Sequence, residues 1–160
     1  MRLVLYGEEF RLGLLNGDRV VDASSVSDRI PHNTPQQMIS KLIGEFDSYR
    51  SELEGILDNV QGVPASEVRF RAPIPRPPRL VCMAGNYMEN GTLEKPNPLS
   101  AFNKSSSSII GDSDTVTLPD FDPRIFVLEA ELAIVIGKRA ERILEEDAYC
   151  LLYTSPSPRD

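Results

Sequence analysis

Residues 126–138 have the sequence FVLEAELAIVIGK, and this segment decides how the second half of the chain is interpreted. β-Branched and aliphatic side chains predominate in it, which predicts a β-strand. Because side chains alternate between the faces of a strand, one face is predicted to be packed core and the other to carry Glu129 and Glu131. The predicted core face holds Leu128, Ala130, Leu132, Ile134 and Ile136.

Two carboxylates at this spacing lie roughly 6–7 Å apart. Like charges at that distance repel by roughly 2–3 kcal/mol at an effective dielectric constant of about 20, and burial adds a desolvation cost. A divalent cation removes both costs, and carboxylate oxygens suit Mg²⁺, Mn²⁺ or Ca²⁺. The alternative is an edge strand with one wet face, on which the two glutamates meet water and discourage edge pairing.

Composition limits the classes of function. A chain of 160 residues suffices for one ordinary domain, or for a small domain plus part of another. The net charge of −7 argues against nucleic acid and anionic membranes as partners, and no apolar run is long enough for a membrane span or a signal peptide. Cys82 and Cys150 are interpreted as reduced thiols of a cytoplasmic protein. His32 is the sole histidine, which leaves a histidine-rich zinc site or a Ser-His-Asp triad unsupported.

Residues 1–70 are predicted to form a small α/β domain, a hairpin plus a helix. The hairpin is predicted around Asn16-Gly17-Asp18, with positive φ at both residues of the Asn-Gly pair. The helix is predicted to begin at Thr34, which would cap it in a capping box with Gln37. Glycines at 44 and 55 weaken the helical run and favour a break into two helices.

A proline-rich segment, residues 71–79, is predicted to link this domain to residues 80–150. A recognition site for SH3-like partners is the alternative. Further strands are predicted at 80–84 and 115–119, and a helix near residues 145–148. Polar residues at strand ends are common in binding sites, which singles out Asn86, Tyr87 and Lys104. Each also has a plain structural interpretation: a turn residue, a packing residue and a surface lysine.

Several segments together resemble the fumarylacetoacetate hydrolase family. They are Ala72–Pro75, Gly85-Asn86-Tyr87, Phe102–Ser105, Ile110-Gly111 with Leu118-Pro119, and residues 129–138. The resemblance implies an α+β protein in which a small N-terminal α/β domain precedes a mixed β-roll catalytic domain, usually in a homodimer.

The same resemblance implies a function. Glu129 and Glu131 would be two ligands of Mg²⁺ or Mn²⁺, with Ca²⁺ as a further option. The substrates would be small organic acids of the 2-oxo, 2-hydroxy-dienoic or β-diketo type. The metal would act as a Lewis acid on the substrate oxygen that gains negative charge. Asn86, Tyr87 and Lys104 would line the substrate pocket, Lys104 offsetting substrate charge.

Two departures from the family pattern bear on this expectation. Asn90 stands where many members have a histidine, and a neutral amide is not a general base, so isomerisation or decarboxylation is favoured over C–C hydrolysis. The family's third ligand, an Asp, falls on Pro158, and residues 151–160 are expected to be a non-native tail of a C-terminally truncated member. The alternative function is therefore a non-catalytic homologue, and the chain by itself is expected to be inactive.

Overall fold

The protein is described by a computed structural model that covers residues 1–85, 94, 95, 97–120 and 125–153. Its N-terminal half contains a five-stranded sheet in the order β4-β3-β2-β1-β5, and all neighbouring strands are antiparallel. The strands are β1 Arg2–Tyr6, β2 Arg11–Asn16, β3 Arg19–Asp22, β4 Val63–Pro64 and β5 Phe70–Arg71.

The predicted hairpin is present between β2 and β3. Asn16 pairs with Arg19, which leaves Gly17 and Asp18 as a two-residue turn. Gly17 has a φ of 58°, and positive φ at the first turn position is the pattern of a type II′ turn. The expectation of positive φ at Asn16 is wrong, because Asn16 is the last residue of the β2 ladder.

Three helices pack beside this sheet: α1 Ser24–Ser27, α2 Pro35–Gly44 and α3 Phe46–Asn59. The predicted cap of α2 is confirmed, since the Thr34 hydroxyl accepts a hydrogen bond from the Gln37 amide at 3.2 Å. The Gln37 side chain accepts from the Asn33 amide at 2.8 Å, one residue before the cap. The helical run breaks after Gly44, as predicted, whereas Gly55 lies within α3.

The hydrophobic core lies between this sheet and the helices. Its fully buried side chains include Leu5, Leu12, Leu14, Leu42 and Leu53. Two side chains from beyond the sheet, Ile74 and Val135, pack against the same core in partly buried positions. The core of the N-terminal half is therefore also in contact with the segment around Val135, which is distant in sequence.

The C-terminal half contains a second sheet of two antiparallel strands, β6 Leu80–Ala84 and β7 Ser100–Lys104. The strand predicted at 80–84 is confirmed. A further pair joins β8 Val135–Ile136 to β9 Leu152–Tyr153, and the helix predicted near 145–148 is a 3₁₀ helix, Glu145–Leu151. The strand predicted at 115–119 is wrong, since these residues have no regular secondary structure.

The central prediction, a strand over residues 126–138, is wrong for most of its length. Only Val135–Ile136 is a strand, and the predicted core face is exposed, with Leu128 at 99% and Leu132 at 70% relative exposure. A strand requires a neighbour that pairs with its amides and carbonyls. Among the described residues, only Leu152–Tyr153 pairs with this segment, so residues 125–134 have no ladder.

The described fold is a mixed α+β arrangement, which confirms the predicted α+β class. The β-roll form of the second domain stays a prediction. The division at residues 71–79 and the non-native tail remain predictions, and residues 154–160 lie outside the described part. In that described part, no helix has both the length and the apolar character that a bilayer crossing requires.

Candidate functional site

The two candidate metal ligands lie in the irregular segment 125–134, and both are exposed. Within the described residues, neither Glu129 nor Glu131 takes part in a salt bridge. Their carboxylate oxygens are therefore hydrated, and they are the hard donors that Mg²⁺ and Mn²⁺ prefer. The donor chemistry fits such an ion.

The described residues supply a partial ligand set. No three His, Cys, Asp or Glu side chains converge on one point in the described ranges. Mg²⁺ commonly uses one or two protein carboxylates and completes its shell with water and substrate oxygens. Glu129 and Glu131 thus suffice as a weak site, and Pro158, the position of the expected third ligand, is outside the described residues.

Lys104 is the last residue of β7, and it lies opposite Leu80 of β6. Its side chain is exposed, and the ammonium lies 5.8 Å from the centre of the Phe102 ring. Residues two apart on a strand share a face, which explains this cation–π contact. Since no carboxylate pairs with Lys104 in the described part of the chain, its charge is available to an anionic ligand.

The predicted pocket residues Asn86, Tyr87 and Asn90 fall outside the described residues, so their roles stay predictions. The residue before them, Gly85, has a φ of 60°, and its carbonyl accepts a hydrogen bond from the Asn97 amide group at 3.3 Å. A left-handed residue directly after β6 fits the turn predicted at this strand end.

Sequence reasoning missed a polar cluster that joins the two halves of the chain. Arg69 contacts Glu8 at 3.2 Å and Asp114 at 2.7 Å. Arg71 donates to the Gly7 carbonyl at 2.9 Å and pairs with Glu8 at 2.5 Å. Nothing in the sequence links Asp114 to an arginine 45 residues earlier.

The pKa of Asp114 lies below its ordinary value, first because the Gly111 amide donates to the carboxylate at 2.7 Å, and then because Arg69 binds it. Asp114 in turn raises the pKa of Arg69. Both groups are therefore charged at neutral pH, and the contact between them is a true ion pair.

A cavity of about 480 Å³ lies in the N-terminal half, beside α1 and the start of α2. None of the predicted site residues lines it. Two of its polar side chains already have partners: Ser27 donates to the Ser24 carbonyl, and Thr34 accepts from the Gln37 amide. His32 also lines it, and its Nδ1 donates to the Ile30 carbonyl at 2.6 Å. The cavity therefore takes no part in the candidate site.

Comparison with known proteins shows what this chain is similar to. Residues 79–153 match the family model described as fumarylacetoacetate (FAA) hydrolase C-terminal. The fold matches the crystal structure of maleylpyruvate hydrolase from Sphingobium sp. SYK-6 in complex with manganese (II) ion and pyruvate. The TM-score is 0.83 at 29% identity, over 96% of this chain and 55% of that one. Over residues 79–153 the chain is thus similar to the fumarylacetoacetate hydrolase family.

Curated relatives include two oxaloacetate tautomerases. The human mitochondrial oxaloacetate tautomerase FAHD2A is 32% identical over 157 residues, which cover 92% of this chain and 48% of that protein. The Xenopus laevis mitochondrial oxaloacetate tautomerase fahd2 is 31% identical over 142 residues, which cover 86% of this chain and 42% of that protein. The chain thus spans about half the length of the curated relatives it matches.

Proposed function

We propose that the protein to which this chain belongs is a divalent-metal-dependent enzyme that interconverts the enol and keto forms of a 2-oxo acid of the oxaloacetate type. The similarity to oxaloacetate tautomerases over 92% of the chain carries this proposal, because it includes the N-terminal half as well as residues 79–153. Asn90, in place of the family's histidine, supports it, since an amide does not activate water for hydrolysis.

The chain's own residues take defined roles in this proposal. Glu129 and Glu131 would hold Mg²⁺ or Mn²⁺ (Ca²⁺ is a further option), and the ion when bound would supply Lewis-acid stabilisation of the 2-oxygen. Lys104 would bind a substrate carboxylate, because its ammonium is exposed and lacks a carboxylate partner within the described residues. Asn86 and Tyr87 would bind the same substrate.

The test is the conversion of enol to keto oxaloacetate, followed by ultraviolet absorbance with and without Mn²⁺. Glu129→Gln and Glu131→Gln should each lower the metal-dependent rate by at least about 100-fold, because even groups behind metal ligands contribute 10–100-fold. Glu54→Gln is the matched control, an equally exposed glutamate on α3 that should leave the rate unchanged. Full turnover in both ligand variants would refute the proposal.

Hydrolysis of an acylpyruvate is the second candidate, and the fold match to maleylpyruvate hydrolase favours it. Metal-dependent C–C cleavage faster than tautomerisation would reverse the order of the two. A non-catalytic homologue is the third, favoured by the absence of a three-ligand cluster among the described residues. Calorimetry that shows tight Mn²⁺ binding to the chain would contradict it.

A cytoplasmic homodimer is also part of the proposal, as the family resemblance and the two thiols suggest. Sedimentation equilibrium of the full-length protein should give twice its monomer mass, and a monomer at all concentrations would remove the dimer from the proposal.

A further inference from the structure

Both connections to the β6–β7 hairpin return to the same edge of the N-terminal sheet. Leu80 begins β6 and Lys104 ends β7, and these two residues are paired. The chain enters Leu80 from β5, which ends at Arg71. It leaves Lys104 toward residues 105–114, which come back to β5. The Lys104 end of the hairpin is therefore the end nearest to its attachments.

The return contact is close and polar. Arg69, directly before β5, pairs with Asp114 at 2.7 Å, and Glu8 holds the same guanidinium at 3.2 Å. Gly111 lies directly on the backbone of β5: a Cβ at this position would be 3.2 Å from the Arg71 Cα and from the Ala72 nitrogen. Asp114 accepts from the Gly111 amide, so the ion pair and the backbone contact support one another.

The segment between Lys104 and Gly111 is an ordered turn. Ser105 accepts from the Ser107 amide at 3.3 Å, and the Ser105 carbonyl accepts from the Ser108 amide at 3.0 Å and from its hydroxyl at 2.7 Å. These bonds close the 3₁₀ turn Ser106–Ser108. A displacement of Gly111 would therefore be transmitted to Lys104 rather than absorbed by a slack loop.

We propose that Arg69 and Asp114 are positioning residues, a clamp that holds residues 105–114 on β5 and thereby fixes Lys104 at the candidate site. The clamp acts locally, because an exposed ion pair adds little to global stability. Its role at the site rests on the proposed function, whereas its effect on the order of residues 100–114 does not.

The decisive experiment is amide hydrogen exchange of the whole chain, measured on peptides from residues 100–114. Arg69→Ala and Asp114→Asn should each speed exchange there roughly fivefold, the size of effect that an exposed pair supports. Asp114→Asn keeps one oxygen that can accept from the Gly111 amide and replaces the oxygen that accepts from Arg69 with an NH2 donor, so this variant removes the ion pair. The double variant should exchange no faster than Arg69→Ala, since that variant already removes the Asp114 contact together with the Glu8 contact.

Arg50→Ala is the matched control. Arg50 has the same 52% side-chain exposure as Arg69 and also pairs with an aspartate, Asp47 at 3.4 Å, but it lies on α3. It should leave exchange in residues 100–114 unchanged. Additive effects of the two clamp variants, or an equal effect of Arg50→Ala, would overturn the proposal.

Steady-state kinetics then show whether the clamp positions Lys104 for substrate binding or only orders residues 100–114. If Lys104 binds the substrate carboxylate, Arg69→Ala should raise KM for oxaloacetate roughly fivefold and leave kcat near its original value. Faster exchange without any change in KM would refute the positioning of Lys104. A full-length protein that does not tautomerise oxaloacetate at all would refute the proposed function instead, and the exchange of residues 100–104 would still decide whether the clamp fixes Lys104.

Discussion

Tyr6→Phe tests the polar cluster that ties β1 to the end of β3. The Tyr6 hydroxyl donates a hydrogen bond to the Asp22 carboxylate. Asp22 also accepts from the Ser24 amide at 3.0 Å and pairs with Arg11 at 2.6 Å. The Arg11 guanidinium lies 5.7 Å from the Tyr6 ring centre. Removal of the hydroxyl deletes one of these interactions and leaves the ring in place.

The magnitude follows from the surroundings of the carboxylate. A hydrogen bond to a charged group contributes about 1.5–3 kcal/mol to stability. Asp22 keeps its other donors in the variant, and its side chain is 39% exposed, so water can replace the lost donor. We therefore expect a loss at or just below the low end of this range, about 1–1.5 kcal/mol in the free energy of unfolding.

Urea denaturation followed by circular dichroism measures this loss, with Tyr49→Phe on α3 as the control. A loss above about 3 kcal/mol would show that Asp22 is left unsatisfied, and a loss below about 0.3 kcal/mol would show that the bond contributes nothing. Either result would refute the reasoning.

The pH dependence of the free energy of unfolding tests the same hydrogen bond independently. Burial, followed by the hydrogen bond to Asp22, raises the pKa of Tyr6 to about 12. The folded state therefore keeps the proton longer than the unfolded chain, whose tyrosine titrates near ~10. The resulting stability is complete below pH ~10 and is lost as the pH rises toward about 12. This alkaline loss should be absent in Tyr6→Phe.

The remaining predictions concern the same half of the chain. Burial raises the pKa of Asp22, but the bonds from Tyr6, Ser24 and Arg11 together bring it below its ordinary value, so its stabilisation should be lost as the pH falls below ~4 in an acid titration of unfolding. Leu53→Ala, at a fully buried position, should cost about 2–5 kcal/mol in urea unfolding; Ser51→Ala on the exposed face of α3 is its control. Thr34→Ala should cost about 1 kcal/mol through the lost cap, and Thr34→Ser should restore most of it. Gly62→Ala should cost about 1–3 kcal/mol, because the new Cβ would lie 2.2 Å from the Val20 carbonyl oxygen; Gly55→Ala, with open space around it, should not.

Local chemistry predicted local structure in this protein. Gly17 predicted the position of the hairpin and Thr34 the start of the first long helix, because turn and cap preferences act over three or four residues. The register was not predictable at the same precision: Asn16 belongs to the ladder rather than the turn.

Long-range structure was beyond the same reasoning. The pattern of residues 126–138 predicted a strand, but a pattern does not supply the neighbour that a strand requires, and most of the segment is unpaired in the described residues. For the candidate site, the sequence singled out Glu129, Glu131 and Lys104. It gave no sign of Asp114, whose partner Arg69 is 45 residues away.

The packing of Val135 on the N-terminal core has a consequence for the order of events during synthesis. Every strand of the five-stranded sheet ends by Arg71, so the complete sheet has left the ribosome well before Val135 is added. At about 5–20 residues per second, the intervening roughly 60 residues take about 3–12 s to make, and small domains fold faster than this. The nascent N-terminal half is thus folded before Val135, four residues after Glu131, packs against its core.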